Sequence, residues 1–545
     1  MLTCPIPNSD PNRVNLKDYS PFLANFYPYI NPTPNQIPLI GLGNHKKDVN
    51  GNSIKYYRKD ILEMMVNCGL NIAMSPMREF DDIKTSVENA QSAGIKLIVR
   101  REKVELPVVE QNDNESEEIY QDRIKQSLLA VAPCYDNSTT SASLGPLWLN
   151  YIFGTYLSNR NNCWIQAIKS FGNKSCIAGW CLVDEPQYST FWGLSVCKQA
   201  IDFTEEAFIA SQSKNQENLA STSSYTKHMV FNNMFGYRDL SKPDENSKFV
   251  GILYQNTGSN KIVSGYETIT SYSQFLDEYV AIFNPSFIAF DRYLTETKKN
   301  VTAPGTTSPT FSVVCAGNTY VDALKVLFEK QKEWNKTLNK NIPYWSYISC
   351  VTNDSNTWHP TLPNIKYQCF AALACGAKGI AFWEFCQEKK ERPNAPIDLN
   401  GETTDTYDWV KETISQIKTV ENILCDSIVS EIKNIDNNLT IKNGYEPLSF
   451  GCIVEMSIGF KNVGFTAAIH SDGTHNYLIL VNKSLSVAQY VNIKFSQKVQ
   501  IISTTPSSVF IEEPSNLQPL VDNEGISSFS GTIIPGQWLI FRYDL

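Results

Sequence analysis

The 545-residue chain contains no run of about 18 apolar residues, so no segment is expected to cross a membrane as a helix. Histidine is scarce, with five residues at 45, 228, 359, 470 and 475. No CxxC pair and no Cys/His group at zinc spacing occurs, so neither a metal nor another cofactor is expected. The chain also lacks a Lys/Arg-dense stripe, and 47 basic against 56 acidic residues leave a net charge of −9. Such a surface is a poor match for a phosphate backbone, and no nucleic-acid partner is expected. No glycine-rich phosphate loop follows an apolar run, which disfavours nucleotide binding. The opening MLTCP has neither the basic nor the apolar region of a signal peptide. The compartment stays open: cytoplasmic as it stands, extracellular or periplasmic if the start is a processed one. Nothing in the pattern predicts an oligomeric state.

What is present is a chain built to fold. Hydrophobic residues make up 42% and charged residues 19%, the balance of a globular protein, and the length suggests two domains. The fourteen cysteines mostly fall in apolar patterns (Cys68, Cys181, Cys197, Cys369, Cys375), where the thiol behaves as a small hydrophobe. No disulfide framework is expected. Aromatics reach 12%, enough for a stacking platform but equally consistent with core packing.

After an irregular Pro- and Asn-rich lead (1–36), apolar strand-like runs alternate with amphipathic helical stretches. The strands are expected at 37–43, 71–75, 95–99, 177–184, 229–235, 287–293, 343–349 and 379–385. Helices are expected at 57–68, 80–93, up to about 171, then 191–210, 271–283, 321–338, 365–375 and 407–424, with a polar excursion over 102–141. Eight such units predict an α/β fold, a (β/α)₈ TIM barrel over 37–428. An open doubly wound sheet is the alternative. From 429 to 545 helical periodicity disappears. Short strands (465–470, 477–481, 490–495, 499–502, 538–543) separated by turn residues predict an antiparallel β-sandwich.

A barrel exposes its chemistry where strands end. The fourth run, IAGWCLVDEPQ, stops in Asp184 and Glu185, and Pro186 confines the residue before it to extended backbone. The other strand ends offer Gly43, Asn44 and His45, then Arg100, Arg101 and Glu102, then Asn232 and Asn233. Asp291, Arg292 and Tyr293 end the sixth, Tyr347 and Ser349 the seventh, Trp383 and Glu384 the eighth. Carboxylates beside aromatic rings suit glycosidic-bond cleavage, where one group protonates the leaving oxygen and another attacks or activates water. The expected partner is therefore a carbohydrate. Trp383, Tyr293 and Tyr347 are candidate stacking residues, Asp291, Asp184 and Asn232 candidate hydroxyl ligands. Trp345 is expected in the core, turned outward to the helices, and His359 in a structural role.

WCLVDEP at 180–186 resembles the fourth-strand motif of the (β/α)₈ retaining glycoside hydrolases that include β-galactosidases and cellulases. It is closer to a group of bacterial barrels with a Gly-aromatic-x-x-x-Asp-Glu-Pro signature, which PSFIAFDRY at 285–293 and QCFAALACGAKGIAFW at 368–383 also resemble. The resemblance implies that Glu185 is the acid/base. It also implies a second carboxylate at the end of the seventh strand, where this chain has YWSYISC instead. Glu384, Asp291 and Asp354 remain as substitutes, and Glu384 is preferred because it ends a strand beside Trp383. With the expected nucleophile missing, a barrel that binds glycans without cleaving them is the alternative function.

Overall fold

The structure, a computed structural model, describes mainly residues 35–43, 47–77, 80–100, 170–186, 228–236, 250–257, 261–268, 271–302, 310–339, 341–437, 450–502 and 526–545, with isolated positions between them. Nearly all of the polar excursion at 102–141, Cys4, Cys197 and most of the 1–36 lead lie outside the described residues, as does most of the helix expected at 191–210.

The eight expected strands form a closed parallel barrel. In chain order they are Leu39–Leu42, Ile72–Pro76, Lys96–Arg100, Ile177–Asp184, Met229–Met234, Ile288–Asp291, Tyr344–Ser349 and Gly379–Trp383. Each pairs with its sequence neighbours, and the first closes on the eighth through Leu39↔Ile380. Alternation divides each strand between two environments. Ile40, Leu42, Ile72, Met74, Ile98, Ala178, Cys181, Phe231, Ala289, Trp345, Tyr347 and Ala381 fill the barrel interior. Their neighbours Leu39, Ala73, Leu97, Trp180, Val230, Phe290, Tyr344 and Ile380 face the helices. Trp345 is therefore core, as expected, but it points inward, against Phe231 and Phe287, and not toward the helices.

The helices follow the apolar periodicity. Lys59–Cys68 buries Ile61, Leu62, Met65 and Cys68, and Gly69 caps it by donating to Met65 O and Val66 O. Leu362–Ala374 begins with a capping box between Thr361 and Asn364. Antiparallel hairpins at Val250–Thr257/Lys261–Thr268 and Glu296–Thr302/Thr310–Ala316, absent from the sequence expectation, are inserted after the fifth and sixth strands.

The last helix, Asp405–Asp426, passes directly into an eight-stranded antiparallel sheet beginning at Ile428. This sheet curls over itself because one long strand, Gln489–Ile502, pairs with Ile453–Ile458 and Ile526–Ile533 through its first half and with Trp538–Asp544 through its end. Its central strands are buried on both faces, which explains why they read as continuous apolar runs. Ala467, Ile469, Leu478, Leu480, Leu539 and Phe541 fill the inside of the curl. Ala468, Ile479, Val481, Trp538 and Ile540 belong to the core shared with the barrel helices. Trp538 stacks on Phe370 at 4.1 Å, Tyr367 Oη and Thr466 Oγ1 share a 2.8 Å hydrogen bond, and His470 Nε2 lies 2.7 Å from Ala374 O. The sheet thus buttresses the helices that carry the seventh and eighth barrel strands.

Candidate active site

Strand register assembles the mouth of the barrel. Asp184 lies beside Asn233, and Asp291 beside Tyr347. Asp184 accepts from Arg100 Nη2 at 2.6 Å through one oxygen and from Asn233 Nδ2 at 2.8 Å through the other. The same Asn233 amide reaches Asp291 Oδ2 at 3.4 Å. Asp291 Oδ1 accepts from the Gly236 backbone at 3.0 Å. Only glycine fits there, since a Cβ at position 236 would lie 1.8 Å from Asp291 O.

Glu185 follows at the strand's end, half-buried, its N–H bonded to Asn233 O at 2.8 Å. Its φ is +48°. The extended backbone expected before Pro186 is thus not what the chain adopts. The left-handed region is costly for a residue with a Cβ, on the order of 1–3 kcal/mol, and such conformations persist where the surroundings over-determine them. Here the bond to Asn233 O and the buried Pro186 ring hold it.

Asp291 is the electrostatic centre of this half of the mouth. Burial, then the negative charges of Glu185 and Asp184, push its carboxyl well above the ordinary carboxylate range, outweighing the Gly236 and Asn233 hydrogen bonds. Tyr293 and Tyr347 are pushed up as well, chiefly by burial, with Asp291 and Asp184 adding to it, so both phenols stay neutral. For Arg100, burial opposes its charge, but Asp184 raises it overall.

The other half of the mouth is organised around an arginine. Glu384 is almost fully buried, and its peptide bond with Trp383 is cis. One carboxylate oxygen accepts from Arg392 Nη1 and the other from the Glu388 N–H at 3.0 Å. Burial raises its pKa, and those two donors work against the rise. Arg392 also grips Asp354 with Nε and Nη2, the latter at 2.9 Å, and its guanidinium lies 4.7 Å from the centre of the Trp383 ring. Trp383 in turn stacks with Tyr293 at 5.2 Å and 22°, joining the two halves.

The expected site residues therefore separate. Asp184, Glu185, Asp291, Tyr293, Tyr347 and Trp383 share electrostatic or ring contacts at the mouth. Asn232 does not join them. It is fully buried and donates to Tyr279 Oη at 3.2 Å on the surrounding helix, because alternation turns it outward. The amide facing the carboxylates is its neighbour Asn233. Ser349 is tied into the strand end by Val351 O and Gln368, and exposed His359 meets Thr352. Asn44, His45, Arg101 and Glu102 lie outside the described residues. Arg392, in a charged stretch (KKERP) that reads as a solvated loop, gave no sequence signal. Its pairing is visible only once the loops after the seventh and eighth strands are side by side. Among the described residues no three His, Cys, Asp or Glu side chains converge as a metal-holding group.

No protein-family model and no curated protein matches this chain. Similar solved structures are glycoside hydrolases. They include a family 39 enzyme from the gut symbiont Bacteroides cellulosilyticus, 11% identical over 94% of this chain and 82% of that one, with a TM-score of 0.43. A family 42 β-galactosidase from G. stearothermophilus is 9% identical over 95% and 100% of the two chains, TM-score 0.43. A Thermotoga maritima β-glucosidase is 10% identical over 67% and 86%, TM-score 0.30.

Proposed function

We propose that this barrel hydrolyses a glycosidic bond, using Glu185 and Asp291 as its carboxyl pair. The observation that carries the reading is the upward displacement of Asp291 by burial and by the facing charges of Glu185 and Asp184. A pair of carboxyls that face each other in this way favours the protonated form of one of them. It then offers both an acid for the leaving oxygen and a carboxylate for the anomeric carbon or for water. Arg100 and Asn233 hold the Asp184 carboxylate in place, and its charge adds to the upward displacement of Asp291. Tyr293 and Trp383, stacked on one another and each half-buried, supply an apolar wall beside which a sugar ring can pack.

This assignment moves the second carboxylate from Glu384 to Asp291. Both oxygens of Glu384 are already engaged by Arg392 and the Glu388 N–H, leaving it poorly placed to attack. The competing reading is a barrel that binds a glycan without cleaving it. It draws on the seventh strand, which ends at Ser349 with no carboxylate.

Turnover of a panel of aryl glycosides and oligosaccharides, paired with calorimetric glycan binding, separates the two. Cleavage abolished in Glu185→Gln and in Asp291→Asn with binding retained supports the hydrolase. Glycan binding by a wild-type protein that turns over none of the panel removes it in favour of the binding barrel.

A further inference from the structure

One guanidinium makes four separate contacts in the second half of the mouth. Arg392 reaches buried Glu384, the exposed carboxylate of Asp354 through two nitrogens, and the face of Trp383. These partners belong to different segments. Trp383 and Glu384 end the eighth strand, Asp354 lies in the loop after the seventh, and Arg392 itself lies in the loop after the eighth. Around the arginine the two loops are also laced together directly. Thr352 N donates to Pro393 O at 3.0 Å, and Asn394 Nδ2 donates to Thr352 Oγ1 at 2.9 Å.

We propose that Arg392 is a positioning residue that fixes the aromatic wall of the sugar site, and so sets substrate affinity more than bond cleavage. The argument is geometric. A planar, permanently charged fork can satisfy a carboxylate at its edge and an aromatic ring at its face at the same time, which a lysine ammonium cannot. Glu384 anchors the fork from below because it is buried at the strand end, with one oxygen on Arg392 and the other on the Glu388 N–H. Asp354, exposed, ties it to the neighbouring loop from above. Trp383 is held between these contacts and Tyr293, so its ring is presented in one orientation. The charges that act most on Asp291 are those of Glu185 and Asp184, in the other half of the mouth. Loss of the clamp is therefore expected to reach the proposed acid mainly through the position of the ring. This role rests on the carbohydrate reading of the mouth, whereas the clamp itself does not.

Arg392→Lys is the informative change, since it keeps a cation for Glu384 and loses the fork and the stacking. Expected are a KM raised by about 10-fold and a kcat within about 3-fold of wild type, the signature of lost binding. A matching loss of calorimetric glycan affinity is expected, and Asp354→Asn should give a smaller shift in the same direction. Hydrogen exchange should quicken in both 350–361 and 383–394, and stay unchanged in the fourth strand. A large fall in kcat at constant KM overturns the positioning role by moving Arg392 into the chemistry. Unchanged exchange in the two loops overturns the clamp. If wild-type protein neither binds nor cleaves any glycan, the sugar-site reading and the affinity role both fall, and the exchange result alone decides whether the clamp stands.

Discussion

The two halves of the barrel mouth use carboxylates in opposite ways. At the fourth to sixth strands, Asp184, Glu185 and Asp291 face one another, and burial together with the charges of Glu185 and Asp184 raises Asp291. At the seventh and eighth strands, Glu384 and Asp354 share one arginine, and the repulsion is neutralised on the spot. Burial raises both Asp291 and Glu384, but the charges of Glu185 and Asp184 raise Asp291 further, whereas the hydrogen bonds from the Glu388 N–H and Arg392 hold Glu384 back. In the proposed reaction, the carboxyl pushed toward its protonated form beside a carboxylate is the one that exchanges a proton with substrate. A carboxylate locked to a guanidinium holds a shape. Burial alone does not separate a reacting group from a structural one, whereas the sign of its neighbours does.

The sharpest way to break this contrast is to remove the carboxyls one at a time. Asp291→Asn and Glu185→Gln should each lower kcat by about 10²–10⁴-fold, the usual contribution of a positioned acid or base. Glu384→Gln, which keeps the shape and a hydrogen bond to Arg392, should lower it far less. Steady-state kinetics on one substrate, with folding checked by circular dichroism, compares the three. Equal losses at all three positions would dissolve the distinction.

Next in size is the structural half. Arg392→Met strands Glu384 in the interior, and breaking a buried pair from one side costs about 3–5 kcal/mol. That figure is an upper range here, because Glu384 can take up a proton when its partner leaves. The double change Arg392→Met with Glu384→Leu should recover most of the loss in urea unfolding. If the single and double variants are equally unstable, Glu384 is not the group being left unpaired.

Much of this was legible in the sequence. Eight apolar runs separated by helical periodicity specify the barrel, since a strand buried on both faces must be apolar throughout, and the helices must show one apolar stripe. The strand ends then name Asp184, Glu185, Asp291, Tyr293 and Trp383. Two kinds of detail did not come through. Which of Asn232 and Asn233 faces the site depends on a one-residue parity, set by register with the neighbouring strands and not by composition. The partner of Glu384 lies eight positions on in a loop, in a charged run whose solvated reading is the ordinary one. The curled sheet was recognisable by its turns, but the strand at Ile428–Ile435 is mostly exposed or half-buried, and its interleaved polar residues keep it from standing out.

A subtler probe of the acidic half is the dependence of stability on pH. Asp291 has its folded pKa raised above the ordinary 3.8, so the folded state binds its proton more tightly than the unfolded chain does. Its contribution is fully present below pH 3.8 and is lost as pH rises from there through the folded pKa. Asp291→Asn should flatten that decline in urea-unfolding free energies measured from pH 4 to 8. Glu185→Gln removes one of the charges that raise Asp291, and should move the end of the decline to lower pH. A slope indifferent to both changes would mean that the two carboxyls do not interact.

The smallest effect is expected at the outer edge of the clamp. Asp354 is 64% exposed, and the Arg392 hydrogen bonds and charge hold its pKa below the ordinary range. Solvent screening reduces such an exposed pair to about 0–1 kcal/mol, with two-nitrogen geometry placing it toward the upper end. Asp354→Asn should therefore leave the unfolding free energy within about 1 kcal/mol of wild type, in contrast to Arg392→Met. The asymmetry follows from where the two carboxylates sit. The same guanidinium serves both, but Glu384 has no water to turn to when Arg392 is removed, whereas Asp354 has solvent on its other side. A loss at Asp354 as large as at Arg392 would mean that the loop after the seventh strand, and not the buried carboxylate, anchors this half of the mouth.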